Sequence, residues 1–561
     1  MYLRETRRRN RDGSEVSYYQ LAHNVWDPQR KRSKTQIVYN FGRVDALDRS
    51  ALVRLCHSVA RVCDLQIIDR QQTRAVLPDE IGLPEELTLL EARMFGVIFA
   101  VRQLCDQLGI TDILSRIAKT TGAPDTVVTA LIALIANRLH RPASKLGVYA
   151  RWLEAVYFPA AANLGKDAFY TAIDFLHDNA QDIEHDVFFA VANHLDLDVD
   201  LIFYDTTTAA FSVDEADADG PRQLGRNKDG GYRIQVVVAL AVTRQGVPVR
   251  SWVLPGNTAD VDTIEQVRSD LRGWKLSRVL LVADAGMDSQ ANRAALSRAC
   301  GRYVLAVRSG SLKEVREEVL RRPGRYKRVA ENLRVKEVVV GDGERRRRYI
   351  LCHNPKQAAR QKAHREQVVA ELEAKLSRHR DRSSARKWTA QLRASHRYGR
   401  YLRVGKRGEV LLDRSAIRRA GKQDGKWVLI TNDGSLSSQD VAAAYKGLML
   451  IEGCFRTMKS GQLDLEPLYH RLESRIVGHV KLCVLSLVVE RVIELRAGQP
   501  FSQIRPELER LQAVQFATPS HLFWQLNSVS PKAEALLKKL QIDRPKPVLA
   551  IRKREEEPGE G

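Results

Sequence analysis

Cysteine, long apolar runs and acidic charge are what this sequence has too little of, and each shortage removes a class of protein. The 7 cysteines among 561 residues, Cys56, Cys63, Cys105, Cys300, Cys352, Cys454 and Cys483, are scattered, with no C-x-x-C pair. A disulfide framework and structural zinc are therefore unsupported, and the thiols read as reduced, mostly buried small side chains. The longest apolar runs, such as 482–489, fall far short of the roughly 20 residues a bilayer span needs. Behind Met1-Tyr2-Leu3-Arg4-Glu5 comes Arg7-Arg8-Arg9 rather than an apolar segment. No secretory signal is read there, and the protein is expected to stay in the cytoplasm. Acidic residues number 68 against 90 Lys plus Arg, a net charge of +22, which points to a polyanionic partner, most commonly a nucleic acid. What remains is ordinary globular composition, 44% hydrophobic and 28% charged, in a chain long enough for several domains.

Residues 1–85 mix short β-like runs at 17–19 and 36–42 with a helix-like stretch around 51–62, which predicts a small α+β region. Over 86–196 the apolar residues recur at helical spacing, in Leu90, Met94, Val97, Ile98 and Val101 and again over 127–139, which predicts a helical region. The basic cluster of Arg138, His140, Arg141, Lys145 and Arg151 there reads either as a recognition element or as the solvated face of a bundle. At Leu201 the period turns to strand character: Leu201-Ile202-Phe203-Tyr204 ends in Asp205, and candidate strands follow at 234–242, 249–254 and 279–283, the last ending in Asp284. With a helix over 263–271, residues 197–310 read as a mixed α/β sheet with acids at strand ends.

Residues 311–433 are rich in Arg and Lys. A hairpin is predicted from 335–340 and 345–351 around Gly341-Asp342-Gly343, then a helix over 356–376 and a basic stretch holding Trp388, Tyr398 and Tyr401. Trp388 reads as a residue that packs locally or stacks on an unpaired base. Helices return over 434–500, and 501–561 is read as a C-terminal helical region with a charged tail, predicted to be disordered after Arg544.

Asp205 and Asp284 on neighbouring strand ends would repel one another, so such a pair implies a divalent cation or a raised pKa. Either acid alone is also explained as the cap of a following helix. A third acid sharpens the pattern. From a helix capped by Ser438, residues Tyr445, Leu448, Glu452, Phe455 and Lys459 share one stripe. They adjoin an apolar stripe of Val441, Ala444, Leu448, Ile451, Phe455 and Met458. Glu452 is thus expected beside the buried face, where a lone carboxylate is costly, and Lys459 could take a phosphate. His470 and His479 lack the spacing of a helical zinc pair, and His353 beside Cys352 reads as a strand residue.

Tyr445-x2-Leu448-x3-Glu452-x6-Lys459 is similar to the Y-x2-R-x3-E-x6-K signature of bacterial insertion-sequence transposases with a DDE triad. Tyr204-Asp205-Thr206-Thr207, Pro255-Gly256-Asn257-Thr258-Ala259-Asp260 and Val282-Ala283-Asp284-Ala285-Gly286-Met287 resemble that family too. So does Tyr469-His470-Arg471, with Arg475-Ile476 and His479 behind it. Leu448 stands where the signature has Arg, and Lys446 or Arg456 is the candidate to compensate. The resemblance implies an α/β ribonuclease H-like catalytic core with a β-containing insertion, plus N-terminal α+β and helical DNA-binding regions. It implies a transposase that cuts at element ends and joins the 3′-OH to target DNA, with Asp205, Asp284 and Glu452 as catalytic and metal-binding residues and Mg²⁺, or Mn²⁺ as a substitute, as cofactor. DNA contacts are expected from Tyr445, Lys459, Arg456, Lys446, Arg345, Arg346, Arg347, Arg348, His470 and Arg471, and secondarily from Lys228, Arg233, Arg382, Arg386 and Lys387. The expected partners are double-stranded DNA, as terminal inverted repeats and target, and a second copy in a homodimer, with no membrane; the expected place is the nucleoid in the cytoplasm.

Overall fold

The computed structural model describes residues 2–9, 15–27, 32–43, 87–213, 215–228, 230–276, 279–298, 301–307, 314–343, 346–378, 385–405, 409–459 and 462–554. Two units are resolved, one of residues 1–87 with 518–521 and one of residues 88–517 with 522–561. In the first, β1 (Tyr2–Arg9), β2 (Glu15–Asp27) and β3 (Arg32–Arg43) form an antiparallel meander. The helix predicted around 51–62 lies outside the described residues.

The second unit opens with β4 (Thr88–Met94) and then α1 (Gly96–Gln107), α2 (Ile110–Thr121), α3 (Thr126–His140), α4 (Lys166–Asp178) and α5 (Ala180–His194). Leu90 and Met94, expected on a helix, are instead on β4. The helix begins only at Gly96, whose lack of a side chain is required: a Cβ there would lie 2.1 Å from the Leu508 carbonyl oxygen.

The large sheet is built from β5 (Leu201–Ala210), β6 (Gln223–Arg226), β7 (Tyr232–Thr243), β8 (Pro248–Pro255), β9 (Leu280–Ala283) and β10 (Arg302–Val307), with α6 (Ile264–Gly273) and α7 (Gln290–Ser297) between them. β7 pairs antiparallel with both β5 and β8, while β5, β9 and β10 run parallel. The sheet does not stop at β10. β11 (Lys327–Ala330), β12 (Leu333–Val340), β13 (Arg347–His353) and β16 (Lys426–Thr431) continue it in the order β10-β16-β13-β12-β11. The hairpin of the basic segment is therefore an extension of the main sheet. Only the part between β13 and β16 stands apart: α8 (Pro355–Arg378), α9 (Ala385–Ala394), α10 (Arg414–Gly421) and the small ladder of β14 (Leu402–Val404) and β15 (Val410–Leu412) enclose a core of their own around Val368, Leu372, Leu392 and Tyr401.

Alternation along the strands divides the apolar residues between two layers. Leu201 and Phe203 of β5 belong to the cluster shared with the long helices, and Ile202 and Tyr204 to the one shared with α6. The long helices are α11 (Ser438–Lys446), α12 (Leu448–Lys459), α13 (Glu473–Ala497) and α14 (Phe501–Glu509). α13 is buried nearly all round over 476–493 and packs on α3 and α4. The chain then adds β17 (Gln512–Ala517), β18 (His521–Leu526), α15 (Pro531–Lys539) and β19 (Val548–Lys553). The sheet order β19-β18-β17-β4 brings Val548–Lys553 into a strand where the sequence predicted a disordered tail. Among the described residues no helix is long and apolar enough to cross a membrane.

Candidate active site

Parallel pairing of β5 with β9 ends at Tyr204 opposite Ala283, so the next residues of the two strands, Asp205 and Asp284, emerge side by side. Asp205 is not at the end of its strand as the sequence predicted. β5 runs on to Ala210, because the β-branched Thr206, Thr207 and Thr208 keep pairing with β7, and Asp205 faces Leu240 across that ladder. Asp284 precedes a short turn at 285–287 but makes no capping hydrogen bond, so capping explains neither acid.

The third acid comes from the helical side. The predicted single helix is two helices, capped by Ser437 rather than Ser438 and broken at Gly447. Only glycine fits at position 447, where a Cβ would lie 2.1 Å from Phe203 Cζ. Tyr445, in the last turn before the break, donates its hydroxyl to Asp284 Oδ1 at 2.8 Å. Burial and the carboxylates of Asp284, Glu452 and Asp205 hold that phenol well above its ordinary range, so all three acids act on one group. Asp205 is pushed up to about 6 by burial, against the opposing pull of Lys228 and the Thr206 N–H and with reinforcement from Asp284 and Asp260. Glu452 itself is exposed; it borders the buried stripe without entering it, and the desolvation expected of it is absent.

Two neighbours of Asp205 were not assigned to this site by sequence. Asp260 accepts a hydrogen bond from Thr206 Oγ1 and lies against Gly286. Lys228, expected on DNA, donates from Nζ to Thr206 O at 2.5 Å and to Thr206 Oγ1 at 2.6 Å. The same ammonium stands 3.7 Å from Asp205 Oδ1 and 3.5 Å from Asp260 Oδ2. The only signal for Asp260 was its place in the Pro255 to Asp260 motif, and nothing in the spacing joined Lys228 to Asp205.

Carboxylate oxygens are the donors a hard divalent cation takes, and these acids fit such an ion chemically. Among the described residues, however, no three metal-ligating side chains already converge into a cage. Tyr445 and Lys228 engage the carboxylates instead.

The other candidates are spread over several environments. Lys446, Arg456 and Arg471 are exposed. Lys459 is mostly buried and pairs with Glu466 at 3.5 Å, and Glu466 in turn accepts from Ala210 N at the end of β5. Arg345 lies outside the described residues, as do Arg382 and the side chains of Arg386 and Lys387, while Arg346 and Arg233 are exposed. Arg347 pairs with Glu314, and Arg348 with Glu337 at 2.9 Å and with the Asp433 carbonyl at 2.7 Å. Both are therefore engaged by neighbouring groups of the protein. Leu448 is buried in the core.

The basic cluster between Arg138 and Arg151 is divided, with Arg141 and Arg151 exposed and the other three inside. Arg138, His140 and Lys145 are buried, with Arg138 donating to the Leu463 and Asp464 carbonyls and Lys145 Nζ 2.7 Å from His479 Nδ1. His470 packs on His479 with ring centroids 5.7 Å apart. Burial and the nearby cations Lys145 and Arg138 keep both imidazoles neutral, His470 down to about 3 and His479 well below its ordinary range. Trp388 packs against the small core of the α8–α10 segment.

Against solved structures the chain resembles a piggyBac transposase in a synaptic complex with hairpin DNA, at 11% identity and a TM-score of 0.32, over 69% of this chain and 71% of that one. Among curated proteins none matches. Residues 3–71 match the N-terminal domain of IS1634 family transposases. Residues 205–489, which are 285 of the 561, match the Transposase DDE domain family. The matched half begins at Asp205 and holds Asp284, Tyr445 and Glu452, and the chain belongs to the DDE transposases of insertion sequences.

Proposed function

We propose that the protein cuts phosphodiesters at the ends of an insertion sequence and joins the freed 3′-OH to target DNA, with Asp205, Asp284 and Glu452 as the catalytic acids. The observation that carries this reading is the register of β5 on β9, which sets Asp205 beside Asp284, together with a Tyr445 hydroxyl that feels all three carboxylates. The strand arrangement, β8-β7-β5 antiparallel and β5-β9-β10 parallel, supports a ribonuclease H-like core.

The three acids would hold Mg²⁺, or Mn²⁺ in its place, and the bound ions would supply an activated nucleophile and charge stabilisation at the leaving oxygen for in-line displacement. The chain's own part is positional. β5 and β9 fix two carboxylates rigidly, and the Tyr445 hydroxyl orients Asp284 by donating to its Oδ1. Exposed Lys446, Arg456, Arg471 and Arg346 would neutralise phosphates of the double-stranded substrate, whose terminal inverted repeats and target would be brought together by a homodimer. The DNA substrate puts this work at the nucleoid, in the cytoplasm.

The test is cleavage and strand transfer on DNA carrying the flanking repeats, with Mg²⁺ or Mn²⁺, for the wild type and Glu452→Gln. Metal-dependent cutting and joining is expected, nearly abolished in the variant while DNA binding persists. A Glu452→Gln protein that cuts normally would end the assignment, and cutting without joining would reduce the protein to a nuclease.

A further inference from the structure

We infer that Lys228 is a resident counter-ion of the catalytic acids, a positioning residue that occupies the cation place beside Asp205 and Asp260 and lowers the affinity of the free protein for divalent metal. The inference rests on the metal-dependent reading above.

Its ammonium is held by construction. Lys228 lies in the connection from β6 to β7, where Arg226 pairs with Tyr232. Asn227 N donates to the Gly231 carbonyl, Gly230 N donates to the Asn227 carbonyl, and Gly230 and Gly231 adopt φ of +102° and +81°, conformations glycine takes without strain. Asn227 is buried and its side chain accepts from Thr208 Oγ1 of β5, so the turn is tied to the strand that carries Asp205. Two of the three ammonium protons are used on Thr206 O and Oγ1, which aims the group at the gap between two carboxylates 3.7 and 3.5 Å away. Thr206 Oγ1 completes the arrangement by donating its own hydrogen bond to Asp260 Oδ1.

This ammonium offsets repulsion among Asp205, Asp260 and Asp284, which keeps the acids together before any ion arrives. The same charge opposes a divalent ion approaching Asp205, because two cations within a few ångströms repel. The side chain is 36% exposed, so it can swing off Asp205 when an entering DNA phosphate offers a replacement anion. Metal binding and DNA binding then favour each other, as linkage requires.

The experiment measures Mn²⁺ binding to the full-length protein without DNA, by titration calorimetry, for the wild type, Lys228→Gln, Lys228→Arg, Asp260→Asn and Asp205→Asn, with circular dichroism to verify folding. Lys228→Gln is expected to bind Mn²⁺ about tenfold more tightly, as loss of a nearby like charge in a partly screened site implies. Lys228→Arg keeps the charge and should resemble the wild type. Asp260→Asn leaves the ammonium with Asp205 and should weaken binding, which keeps the idea testable if Lys228→Gln does not fold. A loss of packing alone would not tighten metal binding. Unchanged or weaker binding in folded Lys228→Gln, or tighter binding in Asp260→Asn, overturns the inference while Asp205-dependent binding in the wild type leaves the metal-dependent reading standing. Binding that Asp205→Asn does not alter overturns that reading and the inference with it.

Discussion

Glu490 is 1% exposed in the middle of α13. Its Oε1 accepts from Gln462 Nε2 at 2.9 Å, while Oε2 is buried and has no hydrogen-bond partner among the described residues. Burial and the neighbouring Glu494 raise its pKa to about 8, against the pull of Arg491 and Arg505. An unfolded glutamate gives up its proton near 4.5. Between these values the folded chain holds a proton that the unfolded chain has lost, so this group's contribution is fully present below about 4.5 and lost as pH rises through about 8. The slope is at most about 1.4 kcal/mol per pH unit. Glu490→Gln keeps the shape and removes the ionisation, so its melting temperature relative to the wild type should climb between pH 5 and pH 8. Parallel melting curves across that range would mean that Glu490 is not held protonated. At this scale the sequence was partly legible. Asp205 and Asp284 could be picked out as candidates because acids that follow apolar strand patterns stand out, and Glu452 through the motif resemblance, since it is exposed rather than buried. Lys228 could not, since its ammonium meets Asp205 only through a glycine turn whose direction no local pattern reveals.

The two helices that carry Tyr445 and Glu452 meet at Gly447, against a distant strand. Position 447 admits only glycine because Phe203, two residues before Asp205, fills the space a Cβ would need. Gly447→Ala should therefore destabilise by roughly 1–3 kcal/mol, as overpacking of a close core contact does, and should displace Tyr445 from Asp284. Trimming the ring in Phe203→Leu should make the double variant less destabilised than the sum of the two single changes. Denaturant melts of the four proteins check this, and strict additivity would remove Phe203 as the cause. The same dependence explains which elements the sequence revealed. β7, β8, α3 and α8 were readable because their periodicity is local. The strands β4 and β19 were not, because each is decided by a partner far away in the chain, β17 and β18.

For the whole molecule, a net charge of +22 identifies a polyanion as partner but does not say which cations meet it. Arg138, Lys145 and Lys481 are buried and engaged internally, and Arg347 is paired with Glu314. These charges were indistinguishable in sequence from those left at the surface: of the arginines at 346–348, Arg346 is exposed whereas Arg347 and Arg348 are paired. Exposed Lys446 and Arg471 are the residues expected to touch phosphate. Affinity for duplex DNA should fall linearly on a log–log plot against salt, because each neutralised phosphate releases condensed counterions. Lys446→Gln and Arg471→Gln should each reduce the magnitude of that slope by about 1, with similar losses on any DNA sequence. Arg347→Gln should leave the slope unchanged, since its charge is spent on Glu314, and should cost stability instead. Fluorescence anisotropy titrations at four or more salt concentrations separate the two classes. A slope that drops for Arg347→Gln but not for Lys446→Gln would relocate the DNA path to the outer strands of the extended sheet.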